Sequence, residues 1–188
     1  MRTALYGGSF DPIHHGHLIL AREAMEQLAL DRIIFIPAAQ SPHKLDRTPA
    51  PPAVRLAMVR AAIVGESRFE CDDSEVKREG PSFTVDTVEV WRAKAPGDEL
   101  FCLIGEDNVR ELPKWRRYDE LRKMVRFVVF GRDVSAPPHD FPWVNRRVDI
   151  SATEVRKRVA QGRSIRYLVP EVVREIIETH RLYQGDTH

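Results

Sequence analysis

Three histidines and two adjacent glycines stand close together near the amino terminus, in the stretch GGSFDPIHHGH at residues 7–17. Adjacent glycines let the backbone approach a ligand closely, because no Cβ stands in the way. Histidine side chains add hydrogen-bond donors whose positive charge rises beside phosphate. A helix that begins near Gly16 would turn its free N–H groups and positive dipole end toward the same ligand. The stretch therefore predicts a site for an anion such as phosphate.

The spacing of the histidines separates their roles. His14 and His17 are three residues apart, so they share a face near a helix start, whereas His15 points elsewhere. We expect His14 and His17 to be functional and His15 to be a bystander. A zinc site is the competing interpretation, but no cysteine lies nearby and the usual ligand spacing is absent. A plain strand-to-helix turn would also use a glycine pair.

Strand-like and helix-like patterns alternate along the chain. Apolar strand runs are TALYG, RIIFIPA, RFECDD, ELFCLIG and VRFVVFG, and helical patterns include GHLILAREAMEQLAL, AVRLAMVRAAIVG, TVDTVEVWRAKAPG, SATEVRKRVAQG and VPEVVREIIETHRLY. Runs without polar alternation are typical of parallel strands covered on both faces. We predict one α/β domain over residues 1–188, a Rossmann-like doubly wound, mainly parallel sheet with a short helical C-terminal region at about 150–183. Ligands of such sheets bind beyond the carboxyl ends of the strands, where residues 7–17 fall.

Composition narrows the classes of function. The 188 residues carry a formal net charge of +1, with 43% hydrophobic and 30% charged residues, as in globular proteins. This balance does not favour a nucleic-acid partner, and no apolar run is long enough to span a membrane. Two cysteines, Cys71 and Cys102, are too few for a disulfide scaffold. We expect a cytoplasmic protein without membrane or nucleic-acid partners.

Two motifs carry a resemblance to a known superfamily. GGSFDPIHHGH resembles the GGxFDPxHxGH signature of nucleotidyltransferases with an HxGH-type motif. ISATEVR at residues 150–156 resembles their ISSTxxR element, with Ala152 where a serine is usual. The resemblance implies transfer of a nucleoside monophosphate to a phosphate-bearing acceptor with release of pyrophosphate. An alternative interpretation is that Ser151 only caps the helix, with Glu154 completing a capping box. Both roles are compatible, because a capped helix end is also an anion site.

Further segments resemble the bacterial nicotinate-nucleotide adenylyltransferase family over nearly the entire chain. They are, in order, SPHK (41–44), GPSFTVDT (80–87), IGEDN (104–108) and ELPKW (111–115). The chain departs from the family pattern at Phe83, where tyrosine is frequent, and at Arg116, where an aromatic residue is common. The resemblance implies ATP and nicotinate mononucleotide as substrates, deamido-NAD and pyrophosphate as products, and Mg²⁺ held mainly through the ATP phosphates.

The resemblance and phosphoryl-transfer chemistry together nominate the site residues. The catalytic candidates are His14, His17 and Arg156. The ATP-binding candidates are Gly7, Gly8, Ser9, Phe10, His14, His17, Gly105, Asp107, Ser151, Thr153 and Arg156. The acceptor-binding candidates are Lys44, Thr84, Trp115 and Arg116, and no protein metal ligand is expected.

Four of these candidates carry specific expectations. We expect backbone N–H groups around Thr84 and Trp115, with the Thr84 hydroxyl, to face the acceptor's carboxylate, and the Trp115 ring to stack on its pyridinium. Lys44 is a candidate ligand of an anion, but an ordinary solvated lysine is an equally good interpretation. Asp107 is a candidate partner of a ribose, and the alternative is an acidic residue at a helix start.

Two other functions stay open at this stage. One is a different nucleotidyltransferase of the superfamily, acting on phosphopantetheine or on nicotinamide mononucleotide. The other is a non-catalytic nucleotide-binding regulatory module. The PSFT and ELPKW segments argue against the first, and the intact His14, His17 and Arg156 argue against the second. The sequence leaves the oligomeric state open, a homo-oligomer included.

Overall fold

A computed structural model describes residues 1–39, 48–78, 80–131 and 140–185. Its strands are β1 (Arg2–Gly8), β2 (Arg32–Pro37), β3 (Phe69–Cys71), β4 (Glu99–Gly105), β5 (Arg126–Gly131) and β6 (Trp143–Asn145). All pair in parallel, in the order β3-β2-β1-β4-β5-β6. This is the strand order of a doubly wound sheet. From β1 the chain first adds strands on one side (β2, β3) and then on the other (β4, β5, β6), so the order reverses between β1 and β4. The predicted fold class is confirmed.

The helices fall largely where the apolar periodicity placed them. They are α1 (His15–Gln27), α2 (Pro52–Ala62), α3 (Ser74–Lys77), α4 (Thr84–Lys94), α5 (Tyr118–Met124), α6 (Ala152–Ala160) and α7 (Glu171–Thr179), and a 3₁₀ segment spans Glu106–Lys114. Helix α1 ends earlier than its pattern suggested, because Ala29 takes a left-handed φ of 47°. Leu30 nevertheless stays buried, which is why the apolar pattern continues past the helix.

Both faces of the sheet are covered. Ala4 and Tyr6 of β1 join the core on the side of α1, α2, α6 and α7. Leu5, between them, joins the core on the side of α4 and α5. Successive strand residues point to opposite faces, so a strand buried on both sides shows no polar alternation.

The pairing of β1 opens a crevice at the carboxyl edge of the sheet. Strand β1 pairs with β2 as far as Gly8, opposite Pro37. Its pairing with β4 stops earlier, at Leu5 opposite Cys102. Beyond that point β1 and β4 separate, at the place where the strand order reverses. The glycine turn therefore stands at the mouth of a gap between two central strands.

Candidate active site

The turn after β1 is built around a covered phenylalanine. Phe10 has a left-handed φ of 43° and a ring only 2% exposed. A Cβ on Gly8 would lie 3.2 Å from that ring, so a side chain at Gly8 would push against it. Gly7 is exposed and has no atom within 4 Å of a Cβ position, which leaves its backbone open to a ligand.

The two predicted histidines stack on each other at the start of α1. Their ring centroids are 3.7 Å apart, at an interplanar angle of 26°. The backbone N–H of His14 donates to Nδ1 of His17 at 3.2 Å. With Nδ1 as acceptor, a neutral imidazole carries its proton on Nε2, which is then the donor of the ring. His14 is 4% exposed whereas His17 is half-buried, so His17 offers the larger surface to a ligand.

The backbone of His15 joins α1 to another segment. Its backbone N–H donates to the Leu168 carbonyl at 2.9 Å, which ties α1 to the segment before α7. The residue therefore contributes through its main chain to the packing of α1.

Gly16 brings two helix N-termini together. A Cβ at this position would lie 3.2 Å from the carbonyl oxygen of Ile150 and 2.9 Å from Nδ1 of His14. Ile150 directly precedes Ser151, the N-cap residue of α6. The first turns of α1 and α6 thus meet across a glycine. Both helix starts turn N–H groups and positive dipole ends toward one region, which suits a polyanion.

The start of α6 is organised as the second motif predicted. The Ser151 hydroxyl accepts from the backbone N–H of Glu154 at 3.1 Å, which confirms the cap. The Arg156 guanidinium donates to the Thr153 hydroxyl at 3.1 Å and to the Asp11 carbonyl at 2.7 Å. Thr153 and Arg156 also line a cavity of about 600 Å³. The arginine therefore reaches from α6 to the glycine turn.

A second cavity, of about 260 Å³, fills the crevice between β1 and β4. Seven predicted site residues line it: Gly7, Gly8, Ser9, Thr84, Asp107, Trp115 and Arg116. His14, His17, Phe10, Gly105, Ser151, Thr153 and Arg156 are not among its lining residues. Lys44 lies outside the described residues. The structure thus groups the predicted acceptor residues with the glycine turn, and the predicted phosphate residues with the meeting point of α1 and α6.

The acceptor side of the 260 Å³ cavity combines an aromatic surface with unused donors. Trp115 lines the cavity, and its indole Nε1 is buried without a hydrogen-bond partner in the described ranges. Its backbone N–H, which the sequence led us to expect at the acceptor, donates instead to Leu112 at 3.0 Å, because it closes the 3₁₀ segment. Thr84 opens α4, where the first N–H groups have no acceptor within the helix.

The two departures from the family pattern contact each other. The Arg116 guanidinium lies over the Phe83 ring, with its carbon 4.8 Å from the ring centroid. A cation–π contact thus stands at the positions where the family commonly has two aromatic residues. Both side chains line the 260 Å³ cavity, so they shape its mouth together.

Gly105 and Asp107 interact at the end of β4. A Cβ on Gly105 would collide with the Asp107 carboxylate. The glycine therefore makes room for that carboxylate, whose Oδ1 accepts from the Asn108 amide at 3.2 Å. Asp107 is exposed at the cavity, a position from which a ribose hydroxyl can be bound.

Sequence reasoning missed Arg55, which is 1% exposed on α2. Its guanidinium donates to the Ser9 carbonyl at 2.6 Å and to the Ala38 carbonyl at 2.7 Å. It also donates to Ala39 and Ala50, both at 2.9 Å. One planar fork thus joins the glycine turn to the segments after β2 and before α2. An arginine in an amphipathic helix is normally expected on the surface, so nothing in the local sequence indicated that Arg55 is buried.

Sequence reasoning also missed Glu75 of α3, which lines the 260 Å³ cavity at 7% exposure. Its Oε1 accepts from the Thr87 hydroxyl of α4 at 2.6 Å. Burial raises the pKa of the Glu75 carboxyl, and the hydrogen bond from Thr87 opposes that shift only in part. The short helix α3 has no apolar periodicity, and this left the residue unmarked.

The protein groups around the site are mainly hydrogen-bond donors. No cluster of three or more His, Cys, Asp or Glu side chains with metal-binding geometry occurs in the described ranges. The carboxylate within the turn, Asp11, is 2% exposed and accepts from the Tyr183 hydroxyl at 2.6 Å. A Mg²⁺ ion bound through nucleotide phosphates and water fits such a donor set.

Within the described residues, no helix is both long and apolar enough to cross a bilayer.

Comparisons with known proteins agree with this geometry. Residues 5–158 match the cytidylyltransferase-like family model. A relative from Rubrobacter xylanophilus, named "Probable nicotinate-nucleotide adenylyltransferase", is 42% identical over 99% of this chain and 94% of its own. A relative of the same name from Thermus thermophilus is 42% identical over 98% of this chain and 100% of its own.

Among solved structures, nicotinic acid mononucleotide adenylyltransferase of Plasmodium falciparum, complexed with NaAD, superimposes with a TM-score of 0.78 at 18% identity, over 97% of each chain. At that identity the likeness concerns the fold. The sequence relatives are far closer and match along nearly their full lengths. The chain therefore belongs to the cytidylyltransferase-like family and, within it, to the nicotinate-nucleotide adenylyltransferases.

Proposed function

We propose that this protein transfers AMP from ATP to nicotinate mononucleotide, forming deamido-NAD and pyrophosphate. One observation carries the proposal. The glycine turn separates a donor-rich meeting point of two helix N-termini from a cavity lined by Thr84 and Trp115. The first place suits a triphosphate and the second a flat aromatic ring. The names of the full-length relatives support the same pair of substrates.

The reaction needs positioning and charge stabilisation more than covalent catalysis. An oxygen of the acceptor phosphate forms a bond to the α-phosphorus of ATP. The bond from that phosphorus to the α–β bridging oxygen breaks, and pyrophosphate leaves with the electron pair. Charge develops on the bridging and non-bridging oxygens, where preorganised donors lower the barrier.

The residues take their roles from where their donors lie. His17 offers Nε2–H to the reacting phosphate, because Nδ1 is held by the His14 N–H. His14 supports the stacked pair from the N-cap position of α1. Arg156, with the N-terminus of α6, binds the β- and γ-phosphates as a fork of donors. Mg²⁺, bound by those phosphates, would neutralise part of their charge.

Discrimination at the acceptor rests on the donors of the 260 Å³ cavity. The Thr84 hydroxyl and the first N–H groups of α4, which begins at Thr84, suit two carboxylate oxygens. A carboxamide would turn its NH₂ toward those donors and leave buried groups unpaired, at about 1–3 kcal/mol each. We expect kcat/KM to favour the acid by at least about a hundredfold, or roughly 2.7 kcal/mol.

Radiolabelled ATP tests the proposed chemistry directly. Label on the α-phosphate should appear in a dinucleotide formed only when nicotinate mononucleotide is present, and label on the γ-phosphate should appear in pyrophosphate. Release of orthophosphate, or a dinucleotide without the α-label, would contradict attack at the α-phosphorus. A protein that binds ATP but releases no label would be the regulatory module instead.

A further inference from the structure

An acidic side chain stands where an acidic substrate is to bind. Glu75 lines the 260 Å³ cavity together with Thr84 and Trp115. It is 7% exposed, so water screens its charge poorly. The proposed function gives that cavity an acceptor whose pyridine ring bears a carboxylate. Two like charges in one small cavity oppose binding, and an uncharged amide would escape that repulsion.

We propose that Glu75 is a specificity-determining residue of the acceptor cavity: its neutral form admits a carboxylate-bearing acceptor, and its ionised form repels it while sparing the amide. This inference rests on the proposed function, because it requires the pyridine ring in this cavity. It assigns to Glu75 a role separate from the donors that bind the carboxylate.

The contacts of Glu75 fix its place but not its charge. Its Oε1 accepts from Thr87 at 2.6 Å, and Thr87 is itself 3% exposed, one helical turn after Thr84. A hydroxyl donates to a neutral carbonyl oxygen as well as to a carboxylate. The Ser82 hydroxyl, buried in the same cavity wall, is a second donor toward Glu75 that lowers its pKa, although it makes no hydrogen bond of standard geometry in the described ranges. The carboxyl can therefore change its protonation state without losing its anchor.

The charges around Glu75 are mixed. Arg78, which directly follows α3, favours the ionised form, and Asp72 before α3 favours the neutral form. Burial is the largest influence and raises the Glu75 pKa. On the β4 side, Cys102 is an uncharged neighbour, because burial and the nearby Glu75 raise its thiol pKa to about 12. Arg78 therefore compensates only part of the cost of ionising Glu75.

The size of the cavity sets the size of the effect. A sphere of 260 Å³ is about 8 Å across, which gives the scale of the separation between Glu75 and a carboxylate bound in the cavity. At that separation and an effective dielectric constant of about 20, repulsion between two unit charges changes affinity about tenfold or more. The ratio of kcat/KM for acid over amide should fall by about that factor as Glu75 ionises. Titrations of ATP, His17 and the acceptor phosphate are common to both substrates and cancel in the ratio.

The test measures this ratio from about pH 4.5, near the ordinary pKa of a glutamate, to about pH 9, for the wild type and for Glu75→Gln, which mimics the neutral carboxyl. Where the amide nucleotide turns over too slowly, its inhibition constant against the acid replaces kcat/KM. We expect the wild-type ratio to fall with rising pH, the Glu75→Gln ratio to stay flat, and the two to meet at low pH. ATP KM should be the same in both proteins.

Glu26→Gln, an exposed change on α1, is the matched control and should follow the wild type. Thr87→Val keeps the carboxyl and should keep the pH dependence. A Glu75→Gln ratio that equals the wild type at high pH, or exceeds it by a constant factor at every pH, would overturn the inference. Absence of any turnover of nicotinate mononucleotide by the wild type would instead overturn the proposed function.

Discussion

Gly16→Ala adds a single methyl group at the point where α1 meets the residue before α6. The new Cβ would lie 2.9 Å from Nδ1 of His14 and 3.2 Å from the Ile150 carbonyl oxygen. Relief requires the His14 ring or the start of α6 to move by a few tenths of an ångström. Overpacking of this kind lowers the free energy of unfolding by about 1–3 kcal/mol. The higher helix propensity of alanine raises it by about 1 kcal/mol. The net loss is therefore up to about 2 kcal/mol, or a fall in Tm of roughly 4–8 °C.

Gly16→Ala should also lower kcat. A misplacement of 1 Å costs about a hundredfold in rate, so a shift of a few tenths of an ångström in the phosphate donors predicts a loss of kcat of roughly three- to tenfold. Steady-state pyrophosphate release and thermal unfolding measure the two effects. Gly97→Ala is the control, because its Cβ would meet no atom within 4 Å. Wild-type kcat in Gly16→Ala would refute the claim that the two helix starts act as one site.

Further substitutions test individual roles. His17→Ala should lower kcat by about a hundredfold or more, the scale of a lost transition-state donor, while His15→Ala costs far less; equal losses in steady-state assays would contradict the assignment of the motif. Arg156→Ala should weaken ATP binding and leave acceptor binding almost unchanged. Calorimetric titration of each ligand alone measures both affinities, and weakened acceptor binding with normal ATP binding would contradict the assigned role. Arg55→Lys should destabilise the fold by about 2 kcal/mol or more and raise ATP KM, since an ammonium cannot reach four carbonyls; an unchanged urea midpoint would exclude this. The Glu75 pKa lies above its ordinary value of 4.5, so the native state loses stability as pH rises from there through the folded pKa. Glu75→Gln should therefore gain Tm relative to the wild type with rising pH, and a constant difference would show that Glu75 does not titrate in that range.

The sequence predicts the sheet and its ligand edge well because those features depend on local patterns. β1, β2, β4 and β5 are unbroken apolar runs, and the glycine turn follows the first of them. Helices α3 and α5, strand β6 and the 3₁₀ segment were not predicted, since elements as short as the four residues of α3 and the three of β6 carry no periodicity. The stacking of His14 on His17 follows from helical spacing alone.

The features that the sequence did not predict depend on contacts between distant segments. Arg55 is separated by 46 residues from Ser9, whose carbonyl it holds. The pairing of Arg116 with Phe83 crosses from the loop before α5 to the N-cap of α4. Glu75 becomes buried only when α3 packs beside α4 and β4. Such pairs have no short-range signature, because each residue type is ordinary in its own segment.

Pyrophosphate release from ATP, measured with a panel of phosphate-bearing acceptors, tests the central claim most directly. The panel needs nicotinate mononucleotide, nicotinamide mononucleotide and phosphopantetheine at matched concentrations. We expect the highest kcat/KM with nicotinate mononucleotide, at least about a hundredfold above the amide, and no release with phosphopantetheine. A higher kcat/KM with either of the other acceptors would contradict the assignment of the 260 Å³ cavity to the pyridine carboxylate.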